Sequence, residues 1–356
     1  MDEKQKSIDE AMKQINKEYG ANTIIKMDGT ERFNIEAIST GCYSLDYVFG
    51  CGGIPKSRLI EIYGQPATGK SVLAMFIAAQ AQKQGLKVVW VDAECSFNTK
   101  FASDIGMDIN KLIVCQPITG ESALSIVDKM ASTHSIDIIV IDSVAALVPK
   151  KELEGELIEP GMALQARMMS KALRVITGNV SRTKTAVIFI NQLREKIGIY
   201  WGPKETTPGG KALSFYSSTR IEVKKGKNIT NENNEVIGNK IRVKAVKNKC
   251  GIPWREVELE LIFSKGINLS SALLEAALLR DVIKKSGSTY LIGEEKIAVG
   301  HDATAKAVEE RPELYKKINE ELIEWDKKNQ NVAFNKIEEE EVKAPTPEIN
   351  TEITTN

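Results

Sequence analysis

No stretch of the 356-residue chain keeps up the run of about 18 apolar residues that a membrane-spanning helix requires. Cysteine is scarce: five residues, at 42, 51, 95, 115 and 250, odd in number and scattered. That spacing argues against a disulfide framework, and the lack of any Cys-x-x-Cys argues against structural zinc. The opening segment MDEKQKSIDEAMKQINKEYG is charged and lacks the apolar centre of a secretory leader. These absences lead to the expectation of a reduced, cytoplasmic protein with no membrane partner. Net charge is also absent, since 48 Lys and Arg balance 48 Asp and Glu. The balance hides an asymmetry. Residues 337–356 hold six Glu and one Lys, a net −5, so the remainder carries 0 − (−5) = +5. A mildly basic body suits an anionic partner, and an acidic tail can compete for the same surface. An ordinary solvated, disordered end reads the same way in composition.

What is present is an alternation of apolar runs and helical patterns. Strands are expected at RLIEIYG (58–64), KVVWVDAE (87–94), LIVCQP (112–117), DIIVIDS (137–143) and TAVIFIN (185–191). Helices are expected between them, at 70–84, 98–105, 120–133 and 163–182. Continuous apolar strands separated by helices predict a parallel sheet covered on both faces. FYSSTRIEVKK, NKIRVKAVKNK and EVELELIF then read as β segments that extend the sheet as an antiparallel edge. Residues 3–18 have helical spacing, with Ile8, Met12 and Ile15 on one face. After about 270 the pattern becomes a small α+β unit. SSALLEAALLRDVIKKSG reads as a helix ending at Gly287, TYLIGEEKIAVG as a hairpin, and 302–328 as one or two helices interrupted near Pro312.

GQPATGKS, from Gly64 to Ser71, stands between the first strand and the first covering helix. Gly, four residues and Gly-Lys-Ser is a phosphate cradle in its proper context. Gly64 and Gly69 let backbone N–H groups converge on phosphates at a helix N-terminus. Lys70 reaches the β and γ phosphates of ATP, and Ser71 can ligate Mg²⁺. Asp142 ends DIIVIDS and is placed to hold Mg²⁺ or its water. Glu94, just past VVWVD, lies at the edge where a parallel sheet binds ligand and can deprotonate an attacking water. An ordinary helix-capping or salt-bridged Glu fits that position too. Asn191 and Gln192 end the next strand at the same edge, where a neutral amide can sense a γ phosphate.

The loop LREKIGIYWGPKETTPGGKALS after Gln192 is long for a compact domain. Its glycines, lysines and aromatics, among them Lys196, Ile197, Trp201, Gly209 and Gly210, fit a strand of nucleic acid; a lid or subunit contact fits as well. In MALQARMMSKALRV, Met162 precedes a basic stripe of Arg167, Ser170, Lys171 and Arg174 at i, i+3, i+4 and i+7. An ordinary solvated face has the same spacing. Both elements leave the sheet edge that carries Asp142 and Gln192, and this common origin links nucleotide to DNA.

Six further stretches carry a family resemblance: ISTGCYSLDYVFGCGGIP, DSVAALVPKKELEGE, ARMMSKALR, IFINQLREKIG, ETTPGGKALSFY and VKAVKNK. From about residue 5 to 330 the chain resembles the bacterial RecA recombinases. The resemblance implies an α/β, RecA-type P-loop ATPase core with a mostly parallel central sheet, an N-terminal helix and a small C-terminal α+β domain. It implies an N-terminal helical oligomerisation segment at 1–36, a core with DNA-binding loops at 37–268, the C-terminal domain at 269–330 and a disordered acidic tail at 331–356. It further implies a helical filament on single-stranded DNA that pairs with homologous duplex, with ATP and Mg²⁺ as cofactors. Glu94 would be the general base and Gln192 the relay of the γ phosphate state. Lys247 and Lys249 would reach ATP on the neighbouring subunit, Phe215 would sit in the subunit interface, and Phe101 would pack on the adenine. DNA contacts would come from loops near 154–163 and 193–208, including Thr206. Activation of LexA-type repressor self-cleavage is implied as well.

Several residues depart from the family's usual pattern. The cradle holds Gln65, Pro66, Ala67, Thr68 and Ser71 where Pro-Glu-Ser-Ser and a Thr after the lysine are common. Cys95 stands for His, Phe101 for Tyr and Glu195 for an apolar Met. Such drift fits a diverged bacterial member or a phage-borne one. Two rival readings share the core: a ring ATPase or helicase, and an ATP-gated DNA-binding scaffold with slow hydrolysis.

Overall fold

The computed structural model describes residues 3–20, 23–26, 35–155, 162–195 and 205–341. The chain divides into a short N-terminal unit, Met1–Glu36, and the remainder from Ala37. In the first unit, α1 (Glu3–Tyr19) has Glu3 in its first turn and Lys17 in its last, the signs that the helix dipole favours. Beyond Gly20 the chain folds back, and the Asn16 side chain both donates to Ile24 O and accepts from Ile24 N, each at 3.0 Å.

The second unit opens with β1 (Ala37–Ile38), α2 (Tyr43–Phe49), β2 (Ile54–Pro55), β3 (Leu59–Gly64) and α3 (Lys70–Lys83). Then come β4 (Val88–Asp92), α4 (Thr99–Ile105), β5 (Ile113–Cys115), α5 (Gly120–Ala131), β6 (Ile138–Asp142), α6 (Lys150–Glu154) and α7 (Met162–Val180). After β7 (Ala186–Gln192), the short strands β8 (Arg194–Glu195) and β9 (Glu205–Thr206) pair with each other, and α8 (Ala212–Tyr216) follows. The long β10 (Thr219–Thr230) and β11 (Val236–Asn248) lead to β12 (Glu256–Ile262) and β13 (Gly266–Ile267).

Nine strands form one sheet in the order β5-β4-β6-β7-β3-β10-β11-β12-β13. The first six run parallel, and β11 to β13 add the antiparallel edge. Successive strand residues face opposite sides, and both sides are covered. Ile60, Ile62, Trp90, Ile138, Val140, Ile188 and Ile190 pack beneath α3. Leu59, Val89, Val91, Ile139, Ile141, Val187 and Phe189 pack against α5 and α7. Burial on both faces is why these strands read as unbroken apolar runs. Each such side chain contributes roughly 1.5–3 kcal/mol.

One expectation is corrected after residue 270. The expected helix through Gly287 stops much earlier: α9 (Leu269–Leu279) ends before Asp281, which has φ 56°. The segment β14 (Ile283–Ser286) then pairs with β15 (Thr289–Ile292), which pairs with β16 (Glu295–Val299). The β-branched pair Val282-Ile283 favours an extended chain, and Ile283 is buried opposite Ile292. A smaller correction concerns Phe215 and Tyr216, which belong to α8 and not to a strand. The helices α10 (His301–Glu310) and α11 (Pro312–Glu341) close this unit over Leu273, Leu274, Val308 and Ile318. The backbone of α11 continues to Glu341, into the segment expected to be disordered, where Glu, Lys and Ala are good helix formers. Residues 342–356 lie outside the described residues.

Tyr43 and Arg280 join the small unit to the core. The Tyr43 hydroxyl donates to Asp326 at 2.6 Å, and the Arg280 guanidinium lies over the rings of Tyr43, Tyr47 and Trp325. Among the described residues no helix is long and apolar enough to cross a membrane.

Candidate nucleotide and DNA site

The strand order places β3 beside β7, and β6 between β7 and β4. The carboxyl ends of these four strands therefore form one edge, the position at which open α/β sheets bind ligands. Gly64 ends β3 so close to β10 that a Cβ there would lie 2.1 Å from Val223 O. Only glycine admits that approach. Gly69, in the left-handed region, is the N-cap of α3, and Ala67 also takes a positive φ of 57°. The turn is pinned at Gln65, whose carbonyl accepts from the Thr68 hydroxyl at 3.0 Å and from Lys70 Nζ at 2.7 Å. Lys70 is buried, and this desolvation lowers its pKa against the pull of Asp142 and Glu94.

Asp142 lies across from the start of α3 and pairs with the Ser71 hydroxyl. Its carboxyl is pushed up to about 6, first by burial and then by the negative fields of Glu94 and Asp92; Ser71 and Lys70 pull the other way. Hard oxygens among surplus negative charge are the donor set that Mg²⁺ prefers, so Ser71 and Asp142 fit that ion.

Glu94 stands on the turn after β4. Buried Asp92 shapes this turn, since its carboxylate accepts from Ser96 N and Phe97 N at 3.1 Å each and from Gln116 Nε2 at 2.8 Å. One Glu94 oxygen accepts from the Ser143 hydroxyl and, at 3.3 Å, from Gln192 Nε2. Glu94, Asp142 and Gln192 thus meet as expected. Ser143 and Asp92 were not singled out from the sequence. The only signal for Ser143 was its place after Asp142 in DIIVIDS.

Beyond Gln192 the β8/β9 ribbon aligns Arg194 with Thr206 at the base of the long loop. Lys196, Ile197 and Trp201 lie outside the described residues, as does most of the expected loop 154–163. Gly209 and Gly210 close the loop against α7: Gly209 N donates to Gln165 Oε1 at 3.1 Å, and Gly210 abuts Ala166. The Gln165 amide also donates to Val144 O and Leu147 O, tying α7 to the chain that leaves Asp142. On α7, which begins at Met162, Arg167, Lys171 and Arg174 are exposed and Ser170 is half-buried, so the basic stripe faces outward.

A buried network lies under the same edge. Glu61, fully buried, accepts from Arg220 Nε at 2.6 Å and from Asn191 Nδ2 at 3.0 Å, and Asn191 also donates to Pro208 O at 3.2 Å. Lys247 Nζ is bound to the carbonyls of Ser214 and Phe215 at 2.7 and 3.0 Å; Lys249 and the Phe215 ring are exposed. Phe101, on α4, is half-buried against the core.

The cradle, the carboxylate pair and the polar strand-end amide define a P-loop nucleoside triphosphatase on a sheet with an antiparallel edge. Comparison with known proteins makes the class specific. The RecA N-terminal domain family matches residues 6–268 and the RecA C-terminal domain family matches 271–325, so the chain belongs to the RecA family. It is 44% identical to Protein RecA of Thermus aquaticus over 90% of this chain and 94% of that one. It is 42% identical to Protein RecA of Lactobacillus acidophilus, over 90% and 88%, and 42% to that of Caldanaerobacter subterraneus, over 95% and 97%. The protein is a DNA recombinase of the repair machinery and a DNA-dependent ATPase that uses ATP with Mg²⁺.

Proposed function

We propose that ATP sets the DNA-gripping state of a helical filament on single-stranded DNA, and that hydrolysis releases it. The observation that carries this reading is the contact of Gln192 with Glu94 at the nucleotide edge, two residues before the β8/β9 ribbon at the DNA loop. A change at the γ phosphate then has a short route to the loop. Glu94 takes the proton of the attacking water, Ser143 holds that carboxylate, and Lys70 faces the phosphates. Ser71 and Asp142 would hold Mg²⁺, which would neutralise phosphate charge there. The basic stripe on α7 and the 193–208 loop take up DNA phosphates and bases. Lys247, Lys249 and Phe215 belong to the contact between successive subunits, with residues 1–36 as the oligomerisation segment. A cytoplasmic location and activation of LexA-type repressors complete the proposal.

The test is ATP hydrolysis with and without single-stranded DNA, followed by strand exchange and electron microscopy. Stimulated hydrolysis, exchange products and helical filaments support the reading. Rings would favour a helicase-like machine, and DNA binding with neither turnover nor exchange would favour a scaffold.

A further inference from the structure

Two of the five cysteines, Cys51 and Cys250, lie together although 199 positions separate them in the chain (250 − 51). The turn after α2 and the turn after β11 touch through their backbones. A Cβ built on Gly251 would lie 2.8 Å from Gly50 Cα, and one on Gly50 would lie 3.1 Å from Gly251 Cα. The contact is braced by Asn248, whose Nδ2 donates to Phe49 O at 2.7 Å while its Oδ1 accepts from Cys250 N at 2.9 Å. Cys51 follows Gly50, and Cys250 precedes Gly251. The two thiols are near enough that Cys250 adds to the upward push on the Cys51 thiol, and a disulfide needs such proximity. Both thiols are free and half-buried.

We propose that Cys51 and Cys250 form a reversible intramolecular disulfide, a redox modification site that clips the turn after α2 to the turn after β11, beside Lys247 and Lys249.

The oxidant is a low-molecular-weight disulfide such as glutathione disulfide. Cys250 is the first attacker, because the positive charges of Arg58 and Lys249 face its sulfur and favour the thiolate. Its thiolate attacks one sulfur of the reagent, forms a mixed disulfide and expels one thiolate. Cys51 then loses its proton and attacks the Cys250 sulfur, expelling the second. In sum, two protein thiols give up two protons and two electrons, and the reagent disulfide becomes two thiols. Burial pushes Cys51 up to about 12 and raises Cys250 as well, so thiolate is scarce at neutral pH. The reaction is therefore slow at pH 7 and accelerates about tenfold for each added pH unit until the thiols titrate. Cys95, exposed beside Glu94, is the competing target on accessibility alone.

The full-length protein is incubated with glutathione disulfide at pH 7, 8 and 9, quenched with an alkylating reagent and mapped by peptide mass spectrometry. The expected result is a peptide pair joined through Cys51 and Cys250, lost on reduction, formed about tenfold faster at pH 8 than at pH 7. Cys51→Ser should leave only glutathione adducts at Cys250. Persistent alkylation of both residues as free thiols at pH 9, or separate glutathione adducts on both with no crosslink, overturns the proposal. Since mapping uses the unsubstituted chain, the answer does not depend on the variant folding, nor on any activity of the nucleotide site.

Discussion

The amide of Gln192 donates to the carboxylate of Glu94 across 3.3 Å, joining two strand ends 98 positions apart in sequence. The same oxygen accepts from Ser143, so the Glu94 carboxylate is held by two donors. Glu94→Gln keeps the shape but loses the base. It should leave ATP and DNA binding intact while phosphate release falls by roughly 10²–10⁴-fold. Normal turnover in a phosphate-release assay would remove Glu94 from the mechanism.

Gln192→Ala should bind ATP as the unsubstituted protein does but lose the tightening of DNA binding that ATP confers. Fluorescence anisotropy with labelled single-stranded DNA, with and without a non-hydrolysable ATP analogue, reads this out. Full ATP enhancement in the variant would refute the relay.

Asp142 gives a pH dependence. Its folded value of about 6 lies above the ordinary 3.8, so the folded chain keeps a proton that the unfolded chain releases. The associated stability is fully present below about pH 4 and is lost as pH rises through about 6. Asp142→Asn removes the buried charge. It should stabilise the nucleotide-free protein at pH 8 by up to about 3 kcal/mol, with the gain vanishing towards pH 4. Denaturant unfolding at both pH values checks this, and the same variant should lose Mg²⁺-dependent ATP affinity.

The Arg220–Glu61 pair is a structural liability if broken on one side. Arg220→Ala strands a fully buried carboxylate and should cost about 3 kcal/mol in chemical denaturation. Combining it with Glu61→Gln should recover part of that loss, because the two residues share one network. A double variant as unstable as the sum of the singles would show that the pair is not coupled.

Glu195, in β8, is paired in register with Glu205 at the foot of the DNA loop. DNA affinity rests largely on phosphate neutralisation, so a carboxylate there is expected to cost about 1 kcal/mol at low salt. Glu195→Met should then tighten single-stranded DNA binding several-fold, the gain shrinking as salt rises, with little change in DNA-free hydrolysis. Unchanged or weaker binding would assign Glu195 a structural pairing role.

The phosphate cradle and the strands of the parallel sheet were legible in sequence because their determinants are local. A phosphate loop works through consecutive backbone N–H groups, and a strand buried on both faces must be apolar along its length, as IIVI at 138–141 is. Sequence also placed Asp142, Glu94 and Gln192 at strand ends, hence at one edge once the sheet was parallel. It misjudged the chain after Leu279, where helix-forming composition gave way to a hairpin that pairs Ile283 with Ile292, a cross-strand contact that helical spacing does not reveal. Only the tertiary structure decided that Ser143 and Gln192 share one oxygen of Glu94, that Arg220 and Asn191 converge on Glu61, and that Cys51 meets Cys250. Each of these depends on which strands are neighbours. That order is set by how the whole core packs, and no stretch of sequence contains it.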